Sequence, residues 1–180
     1  MHEVRDEAAI SRPVYRGTFD QAKEAGEVPE YRTSLRVNKL CQREIEQAVT
    51  EGWDGTHVDP DAVKGVLERF GPERLSYVLA NTVQQKEWED RFSGANVSWA
   101  KTVPMHISPE KRTSCIVNSH PAKLDDFIST ARQEMGRMDK ERGQSVKVKR
   151  PSVRKKLSEK ADTSATPKPP GKSKAKGQDR

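Results

Sequence analysis

Lys147, Lys149, Arg150, Arg154, Lys155 and Lys156 put six cations into ten residues of a 180-residue chain. That density suits a phosphate backbone. Each cation that neutralises a phosphate releases a counterion, and six such contacts give a log–log salt slope of about −5. No aromatic residue follows Phe127, so the basic run cannot stack bases and is expected to bind DNA or RNA with little sequence preference. The surrounding charge sharpens the reading. Residues 1–136 hold 18 Lys/Arg against 22 Asp/Glu, whereas residues 137–180 hold 15 against 5. An acidic, core-forming part therefore carries a basic arm.

A second pattern lies at Tyr77, Asn81, Gln84 and Trp88, continuing to Phe92. At helical spacing these residues form one stripe, roughly opposite Leu75, Val78, Leu79 and Thr82. One reading is an exposed partner-binding face, because Tyr and Trp anchor interfaces and carboxamides hydrogen-bond bases or backbone. The other is a central helix buried on both sides, with Asn81 and Gln84 satisfied inside. The second is favoured, since a buried Tyr–Trp pair supplies much of a small core.

Nucleophilic catalysis has one candidate, Cys115 with His120, and a core thiol beside a helix-start histidine is the better account of it. His57-Val58-Asp59 reads as a loop entering a capped helix. His57, His106 and His120 are scattered and neither Cys41 nor Cys115 belongs to a Cys-x-x-Cys pair, so no metal and no cofactor are expected. Phosphate-loop, dinucleotide and nucleophile-elbow motifs do not occur. The chain is expected not to be an enzyme.

These groups need elements to hold them. The fold class expected is mostly α, with α+β as the alternative. It comprises a flexible N-terminus over 1–12, a compact domain of four to five helices over 13–138, and a disordered basic tail over 139–180. A first short helix starts at Thr18 and stops before Gly26. A second takes Pro29 into its first turn and ends at Gly52, with Tyr31, Leu35, Asn38, Cys41, Ile45 and Ala48 or Val49 on one face. Asp59-Pro60-Asp61 opens a third, whose stripe is Val63, Val66, Leu67 and Phe70. Gly71-Pro72 breaks it and starts a fourth, reaching Asp90 or Phe92. Ser93-Gly94-Ala95-Asn96 reads as a turn. Trp99–Met105 and Thr113–Val117 read as a short β-hairpin. A last helix begins at Pro121, buries Leu124, Phe127, Ile128, Ala131 and Met135, and fades into Gly143.

The hydrophobic fraction is 32%, and the longest apolar run, Tyr77-Val78-Leu79-Ala80, is far too short to cross a bilayer. No membrane partner is expected. The first seven residues lack a basic n-region and an apolar h-region, so no secretion signal and a cytoplasmic location are expected. Two cysteines 74 positions apart are most simply buried thiols.

The foldable part resembles a domain-of-unknown-function family carried by conjugative and other mobile elements of gut bacteria. The resemblance rests on Pro13-Val14-Tyr15, on Tyr31-Arg32 with Ser34, Asn38, Cys41 and Ile45, and on Gly65–Gly71. It is most specific over Leu75–Lys86, and Trp88, Arg91-Phe92-Ser93, Trp99-Ala100-Lys101 and Ser119-His120-Pro121 complete it. It implies an accessory protein of a mobile element, with an association to anti-CRISPR function. The sharpest expectation is an inhibitor that docks on an RNA-guided CRISPR effector nuclease and blocks DNA engagement. The alternative is a DNA-binding accessory or regulatory factor without a nuclease partner, and a cysteine-dependent enzyme is a distant third. The oligomeric state is not specified by these features.

Overall fold

The computed structural model describes residues 8–86, 91–105 and 115–148, the last five as helical backbone. Among the described residues, a helical stretch at 8–10 is followed by five helices: α1 Phe19–Ala25, α2 Val28–Glu51, α3 Pro60–Gln85, α4 Gly94–Thr102 and α5 Pro121–Val148. Among the described residues there is no strand, and the one ladder contact is an isolated bridge between Trp53 and Val58. The mostly α expectation holds.

The helix ends follow local chemistry. Thr18 and Gln21 form a reciprocal capping box at the start of α1, and Gly26 closes it in the left-handed conformation at φ 75°. Asp59 accepts the amide of Asp61, and Pro60 opens α3 where its missing donor costs nothing. Gly71 breaks α3 with φ 77° and ψ 160°, a region open essentially to glycine alone. Residues 60–70 and 72–85 are thus two helical segments in series, as the Gly-Pro pair requires.

The core is built around the second segment. Leu75, Tyr77, Val78, Leu79, Ala80, Asn81, Thr82 and Val83 are all buried, so residues 75–83 have almost no solvent face. A helix buried all round shows no single apolar side. α2 covers it with Ser34, Val37, Asn38, Cys41, Ile45 and Val49. Tyr31 and Leu35, expected on that face, are only half-buried. From α5 come Leu124, Phe127, Ile128 and Ala131, all fully buried.

Several expectations are corrected. Trp99–Thr102 is helical, not a strand, because Ser93 caps α4 by accepting the Asn96 amide. The turn expected at 93–96 is the start of that helix. Residues 115–118 have no regular secondary structure and alternate in burial, and their backbone pairs with side chains instead of a strand. Thr82 Oγ1 accepts the Val117 amide at 3.1 Å, and Glu46 accepts that of Asn118 at 2.7 Å. The fourth helix ends at Gln85 with Lys86 as its C-cap, short of the expected Asp90 or Phe92, and residues 91–92 are not helical; residues 87–90 and 113–114 lie outside the described residues. The N-terminal correction concerns residues 8–12. Ala9 is in the core and the Arg12 carbonyl accepts from buried Arg74, so packing begins before residue 13.

Contacts divide the chain into a compact unit, Met1–Asp139, and a second unit, Lys140–Arg180. α5 runs unbroken from one into the other and ends at Val148, past the Gly143 expected to stop it. Gly136 and Gly143 both sit where a side chain would meet nothing, so neither is needed for a turn.

Candidate nucleic-acid interface

Of the six cations of the basic run, Lys147 lies on the helical backbone of α5. Lys149, Arg150, Arg154, Lys155 and Lys156 lie outside the described residues. α5 approaches the run as an exposed helix. Its last buried core residue is Ala131, Met135 and Met138 are half-buried against the core, and residues 139–143 are exposed.

The aromatic and carboxamide stripe is dispersed into the core. Tyr77 is 7% exposed and burial pushes its phenol pKa up, while Asn81 is fully buried. Asn81 Nδ2 donates to the carbonyl and the sulfur of Cys115, both at 3.4 Å, and its Oδ1 accepts from Gln85 at 2.8 Å. Gln84 donates to the Ala100 carbonyl at 2.6 Å, which also accepts the Val103 amide at the end of α4. These amides hold chain segments together; Tyr77 and Asn81 are buried and Gln84 is half-buried. Trp88 lies outside the described residues.

Cys115 and His120 are separated by their environments. Cys115 is 1% exposed and burial raises its thiol pKa, which keeps it protonated. His120 is exposed, and its carbonyl accepts the Leu124 amide as the cap of α5. Cys41 is likewise buried, with its pKa pushed up by desolvation. No group of three or more metal-ligating side chains gathers among the described residues.

Two polar constellations emerge only from the tertiary structure. Arg74 is 2% exposed and clamps the N-terminal segment to α2. Its Nη1 donates to Asn38 Oδ1 and to the Ser34 carbonyl at 3.4 Å; its Nη2 donates to the carbonyls of Arg12 at 2.7 Å and Pro13 at 3.4 Å. Ser34 completes the junction by accepting the Tyr15 amide at 2.9 Å. On another face, Asp126 holds His57 Nδ1 at 3.0 Å and accepts the Val58 amide at 2.7 Å. That contact raises the His57 pKa above its usual 6.5. The pair lies beside an open groove of about 630 Å³ that includes Trp53, Asp54, Asp59 and Glu134.

The outer face of α2 supplies cations passed over in the sequence reading. Arg32, Arg36, Lys39 and Arg43 are exposed and recur at intervals of four, three and four. At 100° per residue they share one stripe, directly opposite Val37, Cys41 and Ile45. The spacing alone carries this signal, on the face opposite the apolar side of the same helix.

No helix among the described residues is long and apolar enough to cross a membrane. No curated protein sequence and no solved structure matches the chain. Residues 14–136 match a family described as "Protein of unknown function (DUF3849)". That span takes in α1 to α4 and the buried part of α5, and leaves the basic run outside. It covers well over half the chain, which therefore belongs to the DUF3849 family.

Proposed function

We propose that this is a non-enzymatic nucleic-acid-binding protein whose C-terminal basic run holds DNA or RNA. The carrying observation is the opposition of charge: 15 Lys/Arg against 5 Asp/Glu in residues 137–180, beside an acidic remainder. A polyanion is the natural ligand of such an arm. The burial of Cys115 supports a binding role over a thiol-dependent reaction. The resemblance to mobile-element proteins extends the proposal to an accessory role there. Its sharpest form is inhibition of an RNA-guided nuclease, the acidic unit approaching the nuclease's basic channel while the arm holds guide RNA or DNA.

The test is a salt titration of the full chain against labelled 20-base-pair DNA and 20-nucleotide RNA. Its comparison is a variant with Lys147, Lys149, Arg150, Arg154, Lys155 and Lys156 all changed to Gln. The variant is expected to lose most of its low-salt affinity, with the duplex-DNA slope falling by about 5. An unchanged slope overturns the assignment of the basic run. For the sharper form, capture of a type II effector nuclease by the tagged protein supports inhibition, and recovery of nucleic acid alone rejects it.

A further inference from the structure

The charges on α2 are arranged against the helix that carries them. Between Tyr31 and Arg43 it bears Arg32, Arg36, Lys39 and Arg43 and no carboxylate. Arg32–Arg36 and Lys39–Arg43 are like-charge neighbours at i,i+4, and Arg36–Lys39 at i,i+3, spacings at which like charges destabilise a helix. The carboxylate at helical spacing after the stripe is Glu46, three residues beyond Arg43. Its Oε1 already accepts from Gln42 and from the Asn118 amide. Glu30 in the first turn suits the macrodipole, but Glu44, Glu46 and Glu51 follow the cations and no basic residue stands in the last turn. A helix C-terminus favours the reverse.

A solvated outer face does not need four cations in a row. An exposed stripe of like charge at regular spacing is complementary to a ligand that carries regularly spaced negative charge. We propose that the outer face of α2 is a second nucleic-acid contact, built from Arg32, Arg36, Lys39 and Arg43, that operates independently of the C-terminal basic run. Helical rise sets the cations along a straight line of about 16 Å. A nucleic-acid strand offers charges at regular intervals along such a line. Three of the four are arginines, whose planar guanidinium takes phosphate oxygens in pairs. Arg12 widens the surface: it lines one small recess with Arg36, beside Ala8, Ala9 and Thr33. A membrane surface fits less well. A helix lying in a bilayer interface flanks its cations with large apolar side chains. Among the described residues Phe19, 36% exposed, is the exposed large hydrophobic.

The proposal goes beyond the basic run and is tested apart from it. In the full chain, Arg32, Arg36, Lys39 and Arg43 are changed together to Gln, alone and in the chain whose basic run is already neutralised. Labelled 20-base-pair DNA and 20-nucleotide RNA are the probes. The basic-run variant is expected to keep residual binding. Adding the α2 substitutions is expected to reduce the duplex-DNA salt slope by a further 3 to 4, following about 0.9 per phosphate contact. A second variant, Arg32→Lys with Arg36→Lys and Arg43→Lys, keeps the charge and is expected to keep the slope. It guards against a loss caused by misfolding. Unchanged affinity and slope on neutralising α2, in both backgrounds, overturn the proposal. So does equal or tighter binding of phosphatidylserine vesicles or a poly-glutamate peptide through the same residues. Failure of the basic run alone leaves the α2 slope in place, so the two readings fail separately.

Discussion

At the scale of single residues, Arg74 and His57 show two uses of a cation in this fold. Arg74 reaches four acceptors on two segments, the N-terminal stretch and α2, and no lysine can span them with one ammonium group. Arg74→Lys is therefore expected to lower unfolding stability by about 1–3 kcal/mol, the cost of stranding buried acceptors. Urea denaturation of the variant beside the wild type measures it; an unshifted midpoint means the clamp is not stabilising. His57 is exposed, and its hydrogen bond to Asp126 raises its pKa. A raised folded pKa means that the pair's stabilisation is complete below the ordinary value of 6.5. It fades as pH rises through the folded value. The wild type should exceed His57→Gln in melting temperature at pH 5.5, and the gap should narrow above pH 6.5. A gap that widens with pH contradicts the assignment. Asp54 acts at the other end of the scale. The backbone amides of His57 and Thr56 lower its pKa, so its contribution is lost only as acid passes below the usual 3.8.

At the scale of elements, the break in α3 decides where the central helix points. Gly71 carries φ 77° and ψ 160°, and a side chain there would meet nothing within 4 Å. The obstacle to substitution is backbone conformation, not space. Gly71→Ala is expected to cost about 1–3 kcal/mol. Gly65 lies in the same helix, is exposed and is equally unobstructed, but has ordinary helical geometry. Gly65→Ala is expected to stabilise by about 0.5–1 kcal/mol through helix propensity. Chemical denaturation of both variants separates the two glycines, and changes of the same sign contradict the account. The irregular segment at 115–118 shows the same dependence on a neighbour. Its burial alternates as in a strand, but its backbone partners are Thr82, Asn81 and Glu46 side chains. A segment of this kind looks like half a hairpin from sequence because periodicity reports burial, not the identity of the hydrogen-bond partner.

At the scale of the whole molecule, stability and charge reside in different parts of the chain. Buried apolar groups on α5 end at Ala131, with Met135 and Met138 half-buried beyond it. Removing residues 144–180 is expected to leave the unfolding midpoint within about 0.5 kcal/mol of the full chain. What remains holds 21 Lys/Arg against 24 Asp/Glu, so the net charge changes sign. The truncated protein should move from cation-exchange to anion-exchange retention at neutral pH. A large drop in melting temperature would show that the C-terminal residues pack on the unit.

The sequence by itself determined the helical class, the caps at Thr18, Gly26 and Asp59, the break at Gly71-Pro72 and the apolar faces of α3 and α5. All of these are local: a capping oxygen, a positive φ or a repeat of three and four acts within a few residues. It also held the separation of charge, which needs only counting. The tertiary structure decided what local rules cannot reach. It sent Tyr77 and Asn81 inward, because a helix enclosed on every side must satisfy its amides on whatever backbone arrives there, here that of Cys115. It placed Arg74 under the N-terminal segment, where four acceptors from distant residues meet one guanidinium. It also turned the cations of α2 outward by burying the opposite side against the core. Helical spacing had aligned those four charges from the start, and packing made them a surface.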